Sequence, residues 1–313
     1  MAADPWIVLA AALAEGAAGY PERLHARLPH PVAWVAALIH ALAARLNRPA
    51  WPGAARRAGG VATLLLVAGV AGAAGWALDR VFANTLQGAL LAALVGSLGL
   101  AARSLHDHVD AVAQALADDD LPAARLAVAR IVGRDTAGLD ASGVAAAALE
   151  SLAESFNDGV VAPLFWFLVG GLAGLFAYKA VNTADSLIGH KEPPFRHFGW
   201  AAARTDDLMN LVPARLAGAL IAAVGRRGWR VMLRDAGKHA SPNAGWPEAA
   251  MAAALEVRLG GPVAYDGVVH DRPVFGDGPV ARAADLARGL ALYRRLCLVV
   301  AALLLTGGLA WPR

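Results

Sequence analysis

Three carboxylates, Glu150, Glu154 and Asp158, stand at i, i+4 and i+8 directly ahead of the apolar run Val160 to Ala177. On a continuous helix they share one face and repel one another, so the row calls for a counter-charge, either a divalent cation or a basic partner. Hard carboxylate oxygens in a site that also holds phosphate favour Mg²⁺. An exposed acidic face matched by surface arginines is the competing reading. Past the run, Lys179, Asn182 and Asp185 repeat the idea at i, i+3 and i+6, with His190 and Lys191 beyond. A second polar face follows at Arg204, Asp206, Asp207 and Asn210, before Pro213 and Arg215. Mixed acid, amide and base at helical spacing suits an anionic, metal-bridged ligand better than a proton relay. Pro213 as a helix kink and Arg215 as a snorkelling side chain are the structural alternatives. A further constellation runs from Lys238 to Glu248, where Pro242, Gly245 and Pro247 enforce a compact loop around Lys238, His239, Ser241 and Asn243. Pro247 can start a helix that Glu248 favours at its positive end. Gly133, Arg134, Asp135 and Thr136 make a tight turn that presents a cation and an acceptor, or holds an internal Arg–Asp pair. A similar backbone turn is expected at Arg258 to Pro262, near Tyr265.

These side chains adjoin membrane-grade helix, where a charge costs several kcal/mol unless paired, hydrogen-bonded or metal-bound. The 313 residues are 58% hydrophobic and 17% charged, against roughly a quarter charged in ordinary soluble domains. The excess lies in Ala, Leu, Val and Gly, which suits small-residue helix packing in lipid. The expected fold is therefore all-α, a polytopic integral membrane helical bundle with cytoplasmic amphipathic helices and polar loops. It is expected as a single integrated membrane domain over 1–313, with a more polar helical segment at 103–157 and a polar loop segment at 225–289. Cys297 is the only cysteine, so no internal disulfide is possible, and it reads as a packed small hydrophobe. The modest formal charge of +3 argues against a nucleic-acid stripe, and the basic residues read as topology determinants.

Candidate spans are Val61 to Leu78 and Leu86 to Ala102, expected as a helical hairpin, then Val160 to Ala177, Leu208 to Val224 and Leu290 to Leu309. Asn210, Pro213 and Arg215 make the fourth of these a cavity wall rather than a lipid-facing helix. Ile7 to Ala18 is short and carries Glu15, and it lacks the basic start of a removable signal peptide. Arginines 23, 27, 45, 48, 56 and 57, and later Arg226, Arg227, Arg230 and Arg234, place their segments in the cytoplasm by the positive-inside rule. A full crossing by Val160 to Ala177 would then split the polar faces across the bilayer. Either the site lies within the bilayer, open to the cytoplasm, or one run is re-entrant or interfacial. Between the hairpin and this run, Val109, Val112, Leu116, Leu126 and Ile131 recur at helical spacing, and Asp118 to Asp120 read as a solvated helix start.

The strings Ile131 to Thr136, Glu154 to Pro163, Tyr178 to Asp185, Phe198 to Asn210, Pro213 to Leu216 and Lys238 to Ala249, in this order, resemble the CobD/CbiB family. The likeness extends from about His30 to the last apolar run. It departs at Gly19-Tyr20-Pro21, where members usually read Gly-Asp-Pro, at Glu15, where an Asp is common, and at Phe156-Asn157, where smaller residues are usual.

The resemblance implies adenosylcobinamide-phosphate synthase of cobalamin biosynthesis. This reaction joins a propionate of adenosylcobyric acid to (R)-1-amino-2-propanol phosphate, or a related amino-alcohol phosphate, through an amide. An amine does not displace hydroxide from a carboxylate at neutral pH, so the carboxylate needs activation, most simply by ATP as an acyl phosphate. Residue chemistry then assigns Glu154, Asp158, Asp185 and Asp206 to Mg²⁺. Arg134, Asn182, Arg204, Asn210, Arg215, Lys238, Ser241 and Asn243 are assigned to the substrates, and Lys179 and Asp207 to the reacting centre. His239 is the expected general base, with Glu248 as alternative or orienting group. No Gly-x-x-x-x-Gly-Lys-Ser/Thr loop occurs, so the ATP site is unlocated. Expected partners are the corrinoid, the amino-alcohol phosphate and the bilayer of the inner membrane, with other pathway enzymes or a second copy of the chain as further candidates. A Mg²⁺-dependent membrane prenyl or phosphoalcohol transferase is the alternative enzyme class, and a transporter or scaffold the non-enzymatic one.

Overall fold

In the computed structural model, which describes residues 3–20, 29–190, 192–265 and 267–311, the chain is mostly helical. Pro21, Arg23, Arg27 and Lys191 of the sequence reading lie outside the described residues, as does the side chain of Tyr265. The helices are α1 (Pro5–Ala18), α2 (Pro31–Leu46), α3 (Gly53–Val81), α4 (Leu86–Ser97), α5 (Ala102–Ala117), α6 (Leu121–Val128), α7 (Ala141–Phe156), α8 (Ala162–Ile188), α9 (Trp200–Met209), α10 (Leu211–Val224), α11 (Trp229–Asp235), α12 (Gly245–Ala254) and α13 (Ala283–Ala310). A π-helical turn, Asn157–Val161, joins α7 to α8.

Among the described residues, four stretches are long and apolar enough to cross a membrane: Gly53–Val81, Leu86–Ala117, Ala141–Ile188 and Ala283–Ala310. Leu65, Leu66, Val70 and Trp76 on α3, and Leu90, Leu91 and Leu94 on α4, are exposed. Rows of large apolar side chains turned outward are the surface that lipid, not water, covers. These are the features of a multi-pass membrane protein. The short run Ile7 to Ala18 lies in α1, whose 14 residues reach only about 21 Å at 1.5 Å per residue, short of a ~30 Å hydrocarbon layer. The run Leu208 to Val224 is broken at Asn210 into α9 and α10.

Packing separates the chain into two compact units, Met1–Ala101 with Ala162–Asn210 and Leu303–Arg313, and Ala102–Val161 with Leu211–Ala302. In the first unit α3 packs along α8, and α4 packs along α1; α3 and α4 touch only slightly, so the expected hairpin does not form as a packed pair. Glycine decides this pairing. A methyl group at Gly75 would run into the Leu172 carbonyl of α8, so the missing side chain is what lets these two backbones meet. Ile39, Leu64, Val67, Ala180, Val181, Ala184, Ile188 and Phe198 fill the core between α2, α3 and α8. Helix α8 is interrupted at Gly171, whose φ is 64°, a value that favours glycine. At this break the Leu172 and Ala173 amides donate to the two carboxylate oxygens of Asp79 on α3, at 3.2 and 3.4 Å. The carboxylate thus caps the second half of α8 as a side chain caps a helix start.

In the second unit α5, α6 and α7 pack together, and α10, α11 and α12 pack on one another. The stretch expected to hold amphipathic helices carries α5 to α7, with Asp120 capping α6 and Asp140 capping α7. The segment 225–289 departs from an all-α fold. Besides α11 and α12 it forms two antiparallel pairs, β1 (Leu259–Gly260) with β4 (Val274–Phe275), and β2 (Val263–Tyr265) with β3 (Val268–His270). Pro262 and Pro273 interrupt any helix there, and Gly260, Gly261, Gly267 and Gly276 all take positive φ, turning the chain between short extended runs.

Candidate active site

A cavity of about 560 Å³ opens in the second unit, lined among others by Arg134, Glu150, Glu154, Lys238, His239, Glu248, Asp271 and Arg272. Helix α7 supplies Glu150 and Glu154, one turn apart on one face. A π-helical turn begins at Asn157. Of the expected three-carboxylate row, Glu150 and Glu154 line the cavity, while Asp158 lies outside its lining and accepts from the Asn157 side-chain amide at 2.7 Å.

The counter-charge is arginine. Arg134, from the turn after α6, hydrogen-bonds Glu150, and Arg272 reaches the same oxygen from the segment between β3 and β4 at 3.3 Å. The other Glu150 oxygen accepts from the Gly260 amide at 2.7 Å, which fixes the end of β1. Arg272 also donates to Glu248 at 3.4 Å, and the second Glu248 oxygen lies 3.7 Å from His239 Nε2. In the resulting chain of charges, Arg134, Glu150, Arg272, Glu248, the carboxylates are buried, Glu248 only 1% exposed, and the arginines half-buried. Burial, and then the nearby Glu154 and Glu150, push the Glu248 carboxyl well above its ordinary range, against the opposing pull of Arg272. Glu154 is exposed to the cavity.

The turn Ile131 to Thr136 does not hold an internal ion pair. Arg134 faces the cavity, while the Asp135 carboxylate takes the Gly267 amide at 2.8 Å and its own amide donates to the Ala264 carbonyl at 2.9 Å, gripping the β2–β3 hairpin. Lys238 binds Asp235 at 2.6 Å. Asp235 is fully buried and also accepts from the Arg234 guanidinium and the Gly276 amide. Those hydrogen bonds, Arg234 first, hold its carboxyl below the ordinary range. Arg215 does not snorkel. It donates to the Leu211 and Asn243 oxygens at 2.7 and 3.2 Å and lies 4.8 Å over the Trp246 ring, while Ser241 caps the following turn by accepting from the Asn243 and Ala244 amides. Arg215, Ser241 and Asn243 thus build the loop that aims His239.

The remaining expected site residues gather in the first unit. Tyr178 donates to Asn210 at 3.1 Å, Asn210 and Asn182 both donate to Asp206, at 3.0 and 3.3 Å, and Lys179 donates to Asn182 at 3.5 Å. Arg204 and Asp207 pair at 3.4 Å on an exposed edge. Asp185 closes the end of α8, where its carbonyl accepts from the Gly189 amide at 2.7 Å. The expected residues therefore form two clusters, one in each unit. Among the described residues no group of three or more His, Cys, Asp or Glu is arranged to hold a metal ion. A Mg²⁺ ion carried mainly by substrate phosphates needs only one or two carboxylates.

Comparison with known proteins bears on the same stretches. A family model described as CobD/Cbib protein matches residues 8–293. The chain belongs to the CobD/CbiB family. A relative from Rhodobacter capsulatus, named cobalamin biosynthesis protein CobD, is 51% identical over 283 residues, covering 89% of each chain. Proteins of the same name from a Sinorhizobium species and Geobacter metallireducens are 48% and 46% identical; the first covers 96% of this chain and 97% of its own length, the second 87% and 88%. No solved structure matches. Within this CobD/CbiB chain, Arg272, Asp235 and the structural part of Glu150 were not foreseen. Arg272 has one sequence signal, the charged group His270-Asp271-Arg272 pressed against Pro273, which resembles an ordinary solvated turn.

Proposed function

We propose that the chain is an amide synthase of cobalamin biosynthesis, multi-pass in the cell's inner membrane with its reacting cavity open to the cytoplasm. It would join a propionate of adenosylcobyric acid to (R)-1-amino-2-propanol phosphate or a related amino-alcohol phosphate. The observation that carries this reading is the match to CobD proteins of cobalamin biosynthesis along nearly the whole chain. The cavity's chemistry supports it. Amide formation needs an acyl group activated at the corrinoid carboxylate, with ATP as the phosphoryl donor, and an amine stripped of its extra proton. Arg134 and Arg272 supply positive charge for an acyl phosphate or its oxyanion, and a ring of carboxylates faces an incoming ammonium. ATP and Mg²⁺ belong to the proposal as co-reactants.

The test is purification in detergent followed by mass detection of the corrinoid product with each candidate amine, with and without ATP and Mg²⁺. Corrinoid- and amine-dependent phosphate release accompanying the mass gain is the expected result. No mass gain under any condition defeats the assignment. Activity without ATP and with loss of diphosphate would turn the reading to a membrane phosphoalcohol transferase.

A further inference from the structure

The proton acceptor for the amine is decided by the hydrogen bonds of one histidine. His239 Nδ1 accepts from the Ser241 backbone amide at 2.9 Å. A backbone N–H can only donate, so it assigns the lone pair to Nδ1 and, in the neutral ring, the proton to Nε2. Nε2–H then faces Glu248 Oε1 at 3.7 Å. Arg272 Nη2, 3.4 Å from the same ring nitrogen, is also a donor, and its acceptor is the other oxygen of Glu248 at 3.4 Å. Two donors on different loops thus face one carboxylate, Arg272 within hydrogen-bond reach and the ring at 3.7 Å, and in this tautomer Nε2 carries no lone pair to offer a substrate. Ser241 in turn is held by its own cap of the turn before α12, so the tautomer is built into the loop.

Resting on the synthase reading, we infer that Glu248 takes the proton from the incoming amine, and that His239 is a positioning residue that holds Glu248 through a fixed Nε2–H. The step balances simply. One proton passes from the ammonium nitrogen to a Glu248 oxygen, leaving a neutral amine whose lone pair attacks the activated acyl carbon; the phosphate leaves with the electron pair of the C–O bond and takes up the second proton that the new amide nitrogen sheds. The charged and titratable groups that face Glu248 are Arg272 and His239, with Glu150 and Glu154 from α7 and Arg134 from the turn before it. Glu154 opens onto the cavity and supplies the negative charge that draws the ammonium toward this wall.

The test compares four variants of the whole protein in detergent, each checked for a folded thermal transition, by rate of corrinoid amide formation. In H239Q the amide nitrogen takes the place of Nε2–H. In H239N the side chain keeps an acceptor for the Ser241 amide but cannot reach Glu248, and H239A keeps neither. H239Q is expected within about tenfold of wild type and above both H239N and H239A, while E248Q falls by about 10²–10⁴, the usual worth of a general base. H239Q as inactive as E248Q in a folded protein overturns the inference and makes the imidazole the base. H239N equal to or better than H239Q overturns it in favour of a loop-building role alone. A wild-type protein that forms no amide defeats the synthase reading and this inference with it, whereas the order of the variants judges this inference by itself.

Discussion

Replacing Asp235 by Ala removes a fully buried anion that accepts both nitrogens of the Arg234 fork at 2.7 Å, Lys238 at 2.6 Å and the Gly276 amide at 3.0 Å. Breaking a buried charge network costs about 3–5 kcal/mol. Here the cationic partners are themselves about half exposed, 48% for Arg234 and 46% for Lys238, so water recovers part of the loss and the lower figure, about 3 kcal/mol, applies. For a unit of this size about 1 kcal/mol moves the transition by roughly 2–4 °C, giving a fall of about 6–12 °C. The Asp235 carboxyl is depressed in the folded state. Its contribution is therefore present above the unfolded pKa and disappears as pH falls through the folded value, so the gap between wild type and variant narrows in acid. Thermal unfolding in detergent, followed by circular dichroism across pH, reads both effects. R227A is the control. It breaks the Arg227–Glu256 pair, whose side chains are 63% and 60% exposed, and should cost under about 1 kcal/mol. A D235A transition within about 2 °C of R227A at neutral pH would refute the claim that Asp235 fastens this unit.

Three further outcomes follow from the geometry. Gly75→Val drives a branched side chain into the Leu172 carbonyl and should sharply reduce folded protein in membranes, whereas Gly69→Ala, with nothing within 4 Å of the added methyl, should leave the yield unchanged. Asp79→Ala strips the cap from the Leu172 and Ala173 amides and should lower stability by about 1–2 kcal/mol, read as earlier proteolysis or unfolding in detergent. Burial, and then Glu154 and Glu150, push the Glu248 carboxyl up in the folded state. Its contribution is full below the unfolded pKa and is lost as pH rises through the folded one, so Glu248→Gln should flatten the decline of thermal stability toward neutral pH.

The helices were legible because apolar runs of membrane length leave few other solutions, and Asp120 and Asp140 announce their caps in plain sequence. Helix partners were not. Hydropathy treats Val61 to Leu78 and Leu86 to Ala102 as neighbours, yet the glycine face of α3 fits α8 and not α4, a matter of shape that a hydrophobicity profile does not carry. The carboxylate row was legible as spacing but not as surroundings: Glu150 and Glu154 line the cavity, and Asp158, in the π turn after Phe156, lies outside its lining. Loop chemistry was legible as density and illegible as role. Ser241, Asn243 and Arg215 look like ligands of an anion in sequence, and in space they are the frame around His239. Arg272 was missed because its partners, Glu150 and Glu248, lie far from it along the chain.

The adjacency of Arg134 and Asp135 has a mechanical meaning. One residue grips a charge inside the chamber, the next grips the amide of Gly267 at the tip of a hairpin, and a single peptide unit is the crank between them. The chamber wall and the hairpin are thereby fastened by neighbouring residues of one short turn. The hairpin so fastened turns Val268 and Val269 outward, so its inner end is tied to the chamber's frame while its far edge is open.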